Sequence, residues 1–289
     1  MKYLEHMRAS KCAWLDLAVD SKKATAGLLR HARFALFDCY REFDGIIDRY
    51  KDRPAASRSD LIASVLKDFY VAPPNDLHEQ LTVRRHKHDL DECPYCGYPL
   101  PPKTLDHFLP KEDWPEYAIF SNNLVPQCND CAPIKGQRYY CNTRDQALFL
   151  HPMYSSALST VRFYIEVSLV GGEPAFKPAF SILEHASKED EERVELHLKS
   201  LHVRRRIVDY CKEQYRRWIR IVSRKGCDIR ASFKTRLKEK ELDRYADNWG
   251  IAFYQGVLRS PEVVENLQSW APHGPPRPPE KVRPLSIED

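Results

Sequence analysis

The chain has 289 residues, 43% of them hydrophobic and 30% charged, a composition that suits a soluble folded protein and argues against wholesale disorder. Its opening stretch, MKYLEHMRASKCAWLDLAVD, interrupts every apolar run with charges and offers neither a secretory leader nor a membrane span, so a cytoplasmic protein with no membrane partner is expected. Nine cysteines without an export signal point to reduced thiols and metal ligation rather than disulfides, and a net charge of +4 singles out no partner by itself.

From Leu28 to Tyr50 the apolar positions Leu28, Ala32, Leu36, Cys39, Phe43, Ile46 and Tyr50 step by three or four and predict one face of a packing helix. Leu61, Ile62, Val65, Leu66 and Phe69 predict a second helix, stopped by Pro73-Pro74, so residues 1–72 read as a helical region with a scaffold or docking role. Residues 73–92 are polar and aperiodic and read as a linker. The segment that carries chemistry, 93–152, comes next. Within 153–185, VRFYIEVSLV and GGEPAFKPAF joined at Gly171-Gly172 predict a β-hairpin that extends or covers that segment's sheet.

Spacings of three, four and seven between Val194 and Val222 predict one long helix from Lys188 to Gly226. Residues 229–258 predict one or two more, with Phe233, Leu237, Leu242, Tyr245, Trp249 and Phe253 inward, making 186–258 a C-terminal helical region. Prolines from Pro261 to Pro284 predict an extended, coreless tail over 259–289.

Three pieces of the central segment stand in order: CPYCG from Cys93, LDHFLPK from Leu105 and NNLVPQCNDCAPIKG from Asn122. The two CxxC pairs supply Cys93, Cys96, Cys128 and Cys131, a set of four thiolates that closes a tetrahedral zinc site with no open position, which makes the zinc structural. A proline-rich segment too short for its own apolar core would be held together by that ion. A redox CxxC needs a strand–CxxC–helix context that is missing here; a zinc ribbon that only binds is the stronger competitor. Between the knuckles, Asp106-His107 adds a carboxylate able to hold a divalent ion and an imidazole able to take a proton from an attacking water. Neighbours on a strand point to opposite faces, so a strand end or bulge is needed to aim both at one phosphate.

This order of CxxC, Asp-His, Asn-Leu, CxxC and Lys-Gly resembles the HNH (ββα-metal) endonuclease family over residues 93–136. The resemblance implies an α+β fold: a zinc-clamped ββα core with an added hairpin, flanked by N- and C-terminal helical regions. It implies His107 as general base, Asp106 as ligand of a catalytic Mg²⁺ or another divalent ion, and Asn123 as the brace of the loop that bears the base. Cys93, Cys96, Cys128 and Cys131 match the zinc ligands, and Lys135, near a helix start, matches a residue placed to meet a phosphate.

One position departs from the family. Ala132 stands where Asn or His supplies the second ligand to the catalytic ion, and a methyl group cannot bind Mg²⁺. An inactivating substitution, replacement of the ligand by Asn129 or Asp130, and loss of cleavage with binding retained all stay open. His151 is read as structural ahead of a role in the site, and His86, His88, His197 and His202 as surface groups.

Between Lys199 and Lys240, fifteen Lys or Arg face four Asp or Glu. A row of counter-charges on one helix suits a phosphate backbone, so Arg138, Arg204, Arg205, Arg216, Arg217, Arg220 and Arg224 join Lys135 as candidate nucleic-acid contacts, with an acidic partner protein as the rival use. The expectation is metal-dependent phosphodiester hydrolysis, with DNA favoured over RNA. A lone HNH module between helical regions also looks like the nuclease subunits of bacterial anti-phage systems such as the Septu type, whose partner is an ATPase, an analogy of layout. The competing expectation is a non-catalytic, zinc-dependent nucleic-acid-binding or interaction subunit.

Overall fold

In the computed structural model, which describes residues 1–10, 12–238 and 246–272, helices combine with small antiparallel sheets in an α+β fold. The N-terminal side carries α1 (Ala13–Val19), α2 (Ala26–Asp48), α3 (Ala63–Val71) and α4 (Asn75–His86). Along α2, Leu29, Leu36, Tyr40 and Phe43 are buried, and the rings of Tyr40 and Phe43 meet Tyr117 and Phe120 of the central segment. The buried face is rotated from the predicted one, leaving Leu28 51% exposed. Two large rings remove more apolar area from water than one leucine does, so they set the orientation. Leu61, predicted inward, is 99% exposed just before α3.

Residues 75–86, expected to be part of a linker, form a helix instead. Its buried residues are Leu77 and Leu81, one turn apart, while Arg84, Arg85 and His86 in the last turn complement the helix dipole. Two residues are too few to register as a period.

The central segment has ββα order: β1 (Thr104–His107) pairs antiparallel with β2 (Leu124–Gln127), placing His107 opposite Leu124, and α5 (Cys131–Lys135) follows. Gly136, at φ +51°, ends α5. A two-residue ladder, β3 (Tyr140–Cys141) with β4 (Gln146–Ala147), precedes the hairpin of β5 (Val161–Val170) and β6 (Glu173–Ile182). The hairpin turns at Gly171 and Gly172 as predicted, both at positive φ. It pairs with itself and, through one bridge, with Ala246, so it covers the zinc knuckle rather than extending the β1–β2 sheet. Phe163 lies so close to Gly97 that a Cβ there would stand 2.9 Å from the ring, and Gly97 also takes φ +73°.

The C-terminal side differs from the single long helix expected. α6 (Lys188–Ser200), opened by a Ser187/Asp190 capping box, is separated from α7 (Val203–Lys225) by His202 in a left-handed conformation at φ +53°. That kink lets Val194 and Leu198 on one helix and Val203 and Ile207 on the next all face the core. Gly226 ends α7 as predicted, and α8 (Ile229–Lys238), α9 (Trp249–Arg259) and α10 (Pro261–Gln268) follow. Residues 261–268 are thus not extended: Pro261 sits at a helix start, where its missing N–H costs nothing, and Val263, Val264 and Leu267 are buried. Leu242, Tyr245 and the prolines from Pro275 onward lie outside the described residues. Buried side chains from Leu4 to Leu267 form one continuous apolar core.

Candidate zinc and phosphodiester site

The knuckle at Cys93 closes as a tight turn, with the Gly97 amide donating to the Cys93 carbonyl at 2.8 Å; the second pair opens α5, where the Cys131 and Ala132 amides both donate to the Cys128 carbonyl. The sulfurs of Cys93, Cys96, Cys128 and Cys131 lie within 4.8 Å of one another, and all four residues are buried. Zinc–thiolate bonds of about 2.3 Å in a tetrahedron put sulfurs about 3.8 Å apart. The Cys96–Cys128 separation is 3.8 Å, so the donor set fits zinc. Within the cluster, burial pushes the thiols of Cys93 and Cys131 well up, while hydrogen bonds from Cys131, Cys93 and Cys96 pull that of Cys128 far below its ordinary value.

Arg206, in the first turn of α7, reaches the same cluster. Its guanidinium lies 3.2 Å from the Cys131 sulfur and 3.6 Å from those of Cys96 and Cys128, and also stacks over Trp249. Burial disfavours its charge, but the sulfurs of Cys96 and Cys131 outweigh that and hold it firmly protonated. Arg206 is therefore a partner of the thiolates, not a phosphate contact, a role hidden by its place in the Arg204–Arg206 run.

Asp106 and His107 point to opposite sides of β1. One Asp106 oxygen accepts from the Tyr95 hydroxyl at 2.7 Å and the other lies 3.0 Å from the Lys135 ammonium. Lys135, expected at a phosphate, is 0% exposed and cannot reach one. Its ammonium also donates to the carbonyls of His107 (3.0 Å) and Phe108 (3.1 Å), beneath the rings of Phe108 and Phe149. Burial lowers its pKa while Asp106 works to raise it. A divalent ion bound to the same carboxylate at about 2.1 Å would stand within about 5 Å of that ammonium. At an effective dielectric constant of 20 the two charges would repel by roughly 7 kcal/mol. Ala132 lies three residues before Lys135 on α5 and brings no donor, and Asp130 is turned toward Arg206, 3.8 Å away. The residues as arranged do not fit a divalent ion on Asp106.

His107 is placed differently. Its Nε2 donates to the Ala118 carbonyl at 3.0 Å, and because a carbonyl can only accept, Nδ1 is left as the lone-pair nitrogen. Nδ1 has no partner among the described residues and is not sealed from solvent. Burial, with help from the charges of Lys111 and Lys135, pushes the imidazole pKa down to about 3 against the opposing Ala118 hydrogen bond, so the ring is neutral at physiological pH. Tyr70 of α3 packs edge-on against it at 4.3 Å, a contact from a region read as scaffold. Asn123 pins the loop between them: its carbonyl oxygen accepts from the Leu109 amide, and its amide donates to the Leu109 and Tyr117 carbonyls.

The other histidines divide. His151 is buried, donating to the Asn122 carbonyl and accepting from the Met153 amide. His197, expected at the surface, is fully buried, bridging the Tyr95 carbonyl and the Leu150 amide; His88 is also buried, bonded to Pro102. In a chain where His197 braces Tyr95 and Tyr95 holds Asp106, α6 supports β1 through polar contacts that no local spacing reveals.

Among the basic residues, Arg138 donates to the carbonyls of Ile134 and Ser200, and Arg204 donates to the Pro178 carbonyl while covering Phe180. Arg205, Arg216, Arg217, Arg220 and Arg224 are exposed on the outer face of α7, opposite its buried stripe of Val203, Ile207, Cys211, Tyr215, Trp218 and Val222. Among the described residues none of these five has a carboxylate at ion-pair distance.

No family model and no solved structure matches the chain. Among curated proteins it is similar to Protein ea31 of Escherichia phage lambda, with 31% identity over 118 residues. The matched stretch covers 40% of this chain and 39% of that protein, so the chain spans about two fifths of its relative's length.

Proposed function

We propose that this chain is a nuclease of the HNH type, acting on phosphodiester bonds of nucleic acid, with DNA the favoured substrate, a structural zinc and His107 as general base. The observation that carries the reading is the His107 ring: fixed through Nε2 at the end of β1 in a ββα unit that carries the four-cysteine cluster, neutral, and with Nδ1 unpaired among the described residues. That nitrogen takes a proton from the water that attacks phosphorus, the ester P–O bond opposite breaks and its sugar oxygen takes a proton from solvent, the Ala118 carbonyl steadies the imidazolium that forms, and the outer face of α7 holds the backbone electrostatically.

The Asp106–Lys135 pair and Ala132 favour a second reading, a zinc-dependent nucleic-acid-binding or interaction subunit without cleavage. Plasmid nicking and binding, measured side by side for the wild type and His107→Ala with and without Mg²⁺ or Mn²⁺, separate the two. Nicking lost in the variant with binding retained supports the nuclease; binding without nicking by the wild type supports the second reading; neither activity sinks both. Service in an anti-phage complex with an ATPase extends the proposal by layout alone, and co-purification with the product of a neighbouring gene tests it.

A further inference from the structure

The Asp106 carboxylate already has a cation beside it, and that cation is a side chain. Lys135 offers three N–H donors, and three acceptors surround them: Asp106 Oδ1 and the carbonyls of His107 and Phe108, all at 3.0 to 3.1 Å. The other Asp106 oxygen is taken by Tyr95, whose backbone carbonyl is in turn held by His197. Both partners are nearly sealed from solvent, Lys135 at 0% and Asp106 at 8% exposure, and the rings of Phe108 and Phe149 close the ammonium in. Every hydrogen-bonding requirement of the buried charge is met, which is what retains an ammonium in an apolar setting.

We propose that the Lys135 ammonium is the resident cation of this core, holding Asp106 and the end of β1 in the place of a divalent ion, so that the chain positions His107 without a metal on Asp106. Lys135 is a positioning residue: its bonds to the His107 and Phe108 carbonyls fix the strand end that aims the imidazole. Ala132 then ceases to be a missing ligand, because a core with an internal cation needs no second donor beside it. An Asn at 132 would by itself face a carboxylate still neutralised by Lys135. The proposal takes its frame from the HNH reading, but it is tested by metal uptake and not by cleavage, so an absence of nicking leaves it standing.

The zinc-loaded full-length protein, Ala132→Asn, and the double variant Ala132→Asn/Lys135→Gln are titrated with Mn²⁺ while the free ion is followed by electron paramagnetic resonance. Glutamine keeps a donor for the carbonyls but removes the charge. The wild type and the single variant are expected to leave Mn²⁺ free, and the double variant to bind it at least about a hundredfold more tightly, an affinity lost on adding Asp106→Asn. Uptake by the wild type or by Ala132→Asn that Asp106→Asn abolishes would overturn the proposal, as would a folded, zinc-replete double variant that takes up none. Should the double variant not fold, the wild type alone decides. Its buried lysine ammonium is expected as a slowly exchanging ¹⁵N signal, assigned by its response to Asp106→Asn, that Mn²⁺ leaves sharp. Broadening of that signal by Mn²⁺ at concentrations that leave the other lysines unaffected overturns the inference.

Discussion

The Arg206 guanidinium lies 3.2 Å from the Cys131 sulfur, tying the first turn of the basic helix to the four-cysteine cluster on which the ββα unit closes. A tetrathiolate–zinc centre carries excess negative charge, and a planar guanidinium spans several sulfurs where a lysine could meet only one. Arg206→Met is therefore expected to weaken zinc binding by about 10- to 100-fold. Competition with a chromogenic chelator measures it, and unchanged zinc affinity would show the contact to be incidental.

Removal of the metal should be felt well beyond the knuckles. One zinc per chain is expected by elemental analysis, and stripping it with a strong chelator should expose the amides of residues 93–136 to hydrogen exchange, since structural zinc contributes on the order of 10 kcal/mol in small modules. Cys128→Ser should behave like the stripped protein. Protection that survives chelation would contradict a structural ion.

How much of this was legible in the sequence depends on the range of each signal. The four thiols were readable because CxxC spacing is local and the tetrahedral donor set is chemically distinctive. The hairpin was readable from Gly171-Gly172 between alternating strands. Lys135, expected near a helix start, is the last residue of α5, and a lysine at a short helix's end looks solvent-facing until Phe108 and Phe149, distant in sequence, close over it. The His107–Ala118 bond needed the course of the loop that Asn123 pins, and Arg206 was masked by two arginines of identical type before it. In α4 the pair of leucines was too sparse to announce a helix, while in α10 the proline that suggested extension serves as its first residue.

Asn123 is fully buried and makes three hydrogen bonds to backbone groups of Leu109 and Tyr117. Replacement by Ala leaves those groups unpaired and should cost about 3 kcal/mol. Urea unfolding reads the loss, and faster proteolysis between residues 109 and 118 should accompany it. A change within error would mean that water replaces the side chain.

Charge on the outer face of α7 should govern affinity without governing metal content. Arg216→Gln/Arg217→Gln/Arg220→Gln is expected to weaken binding to DNA and to reduce the slope of log affinity against log salt by about 2 to 3, with zinc unchanged. Anisotropy titrations over a salt series give the slope directly. Equal slopes for both proteins would remove the face from the binding surface.

Acid should destabilise the protein through histidines buried as neutral rings. Burial pushes His151 down to about 3 and His197 down to about 4 from an ordinary 6.5, so the unfolded chain binds protons more readily. Their contribution is complete above pH 6.5 and is lost as pH falls toward those lower values, about 2 kcal/mol apiece by pH 5. His151→Gln should shorten the fall in unfolding free energy between pH 7.5 and 5 by that amount. Protonation of the zinc thiolates affects both proteins alike, so the difference isolates the imidazole, and an identical fall would refute its role.

The indole N–H of Trp249 donates to the Cys96 carbonyl from 153 residues further along the chain. During synthesis all four cysteines have left the ribosome well before that tryptophan does, by roughly 6 to 24 s at ordinary elongation speeds. A nascent knuckle thus spends that interval without one of its walls, and its final closure is timed by the arrival of α9 rather than by the appearance of its own ligands.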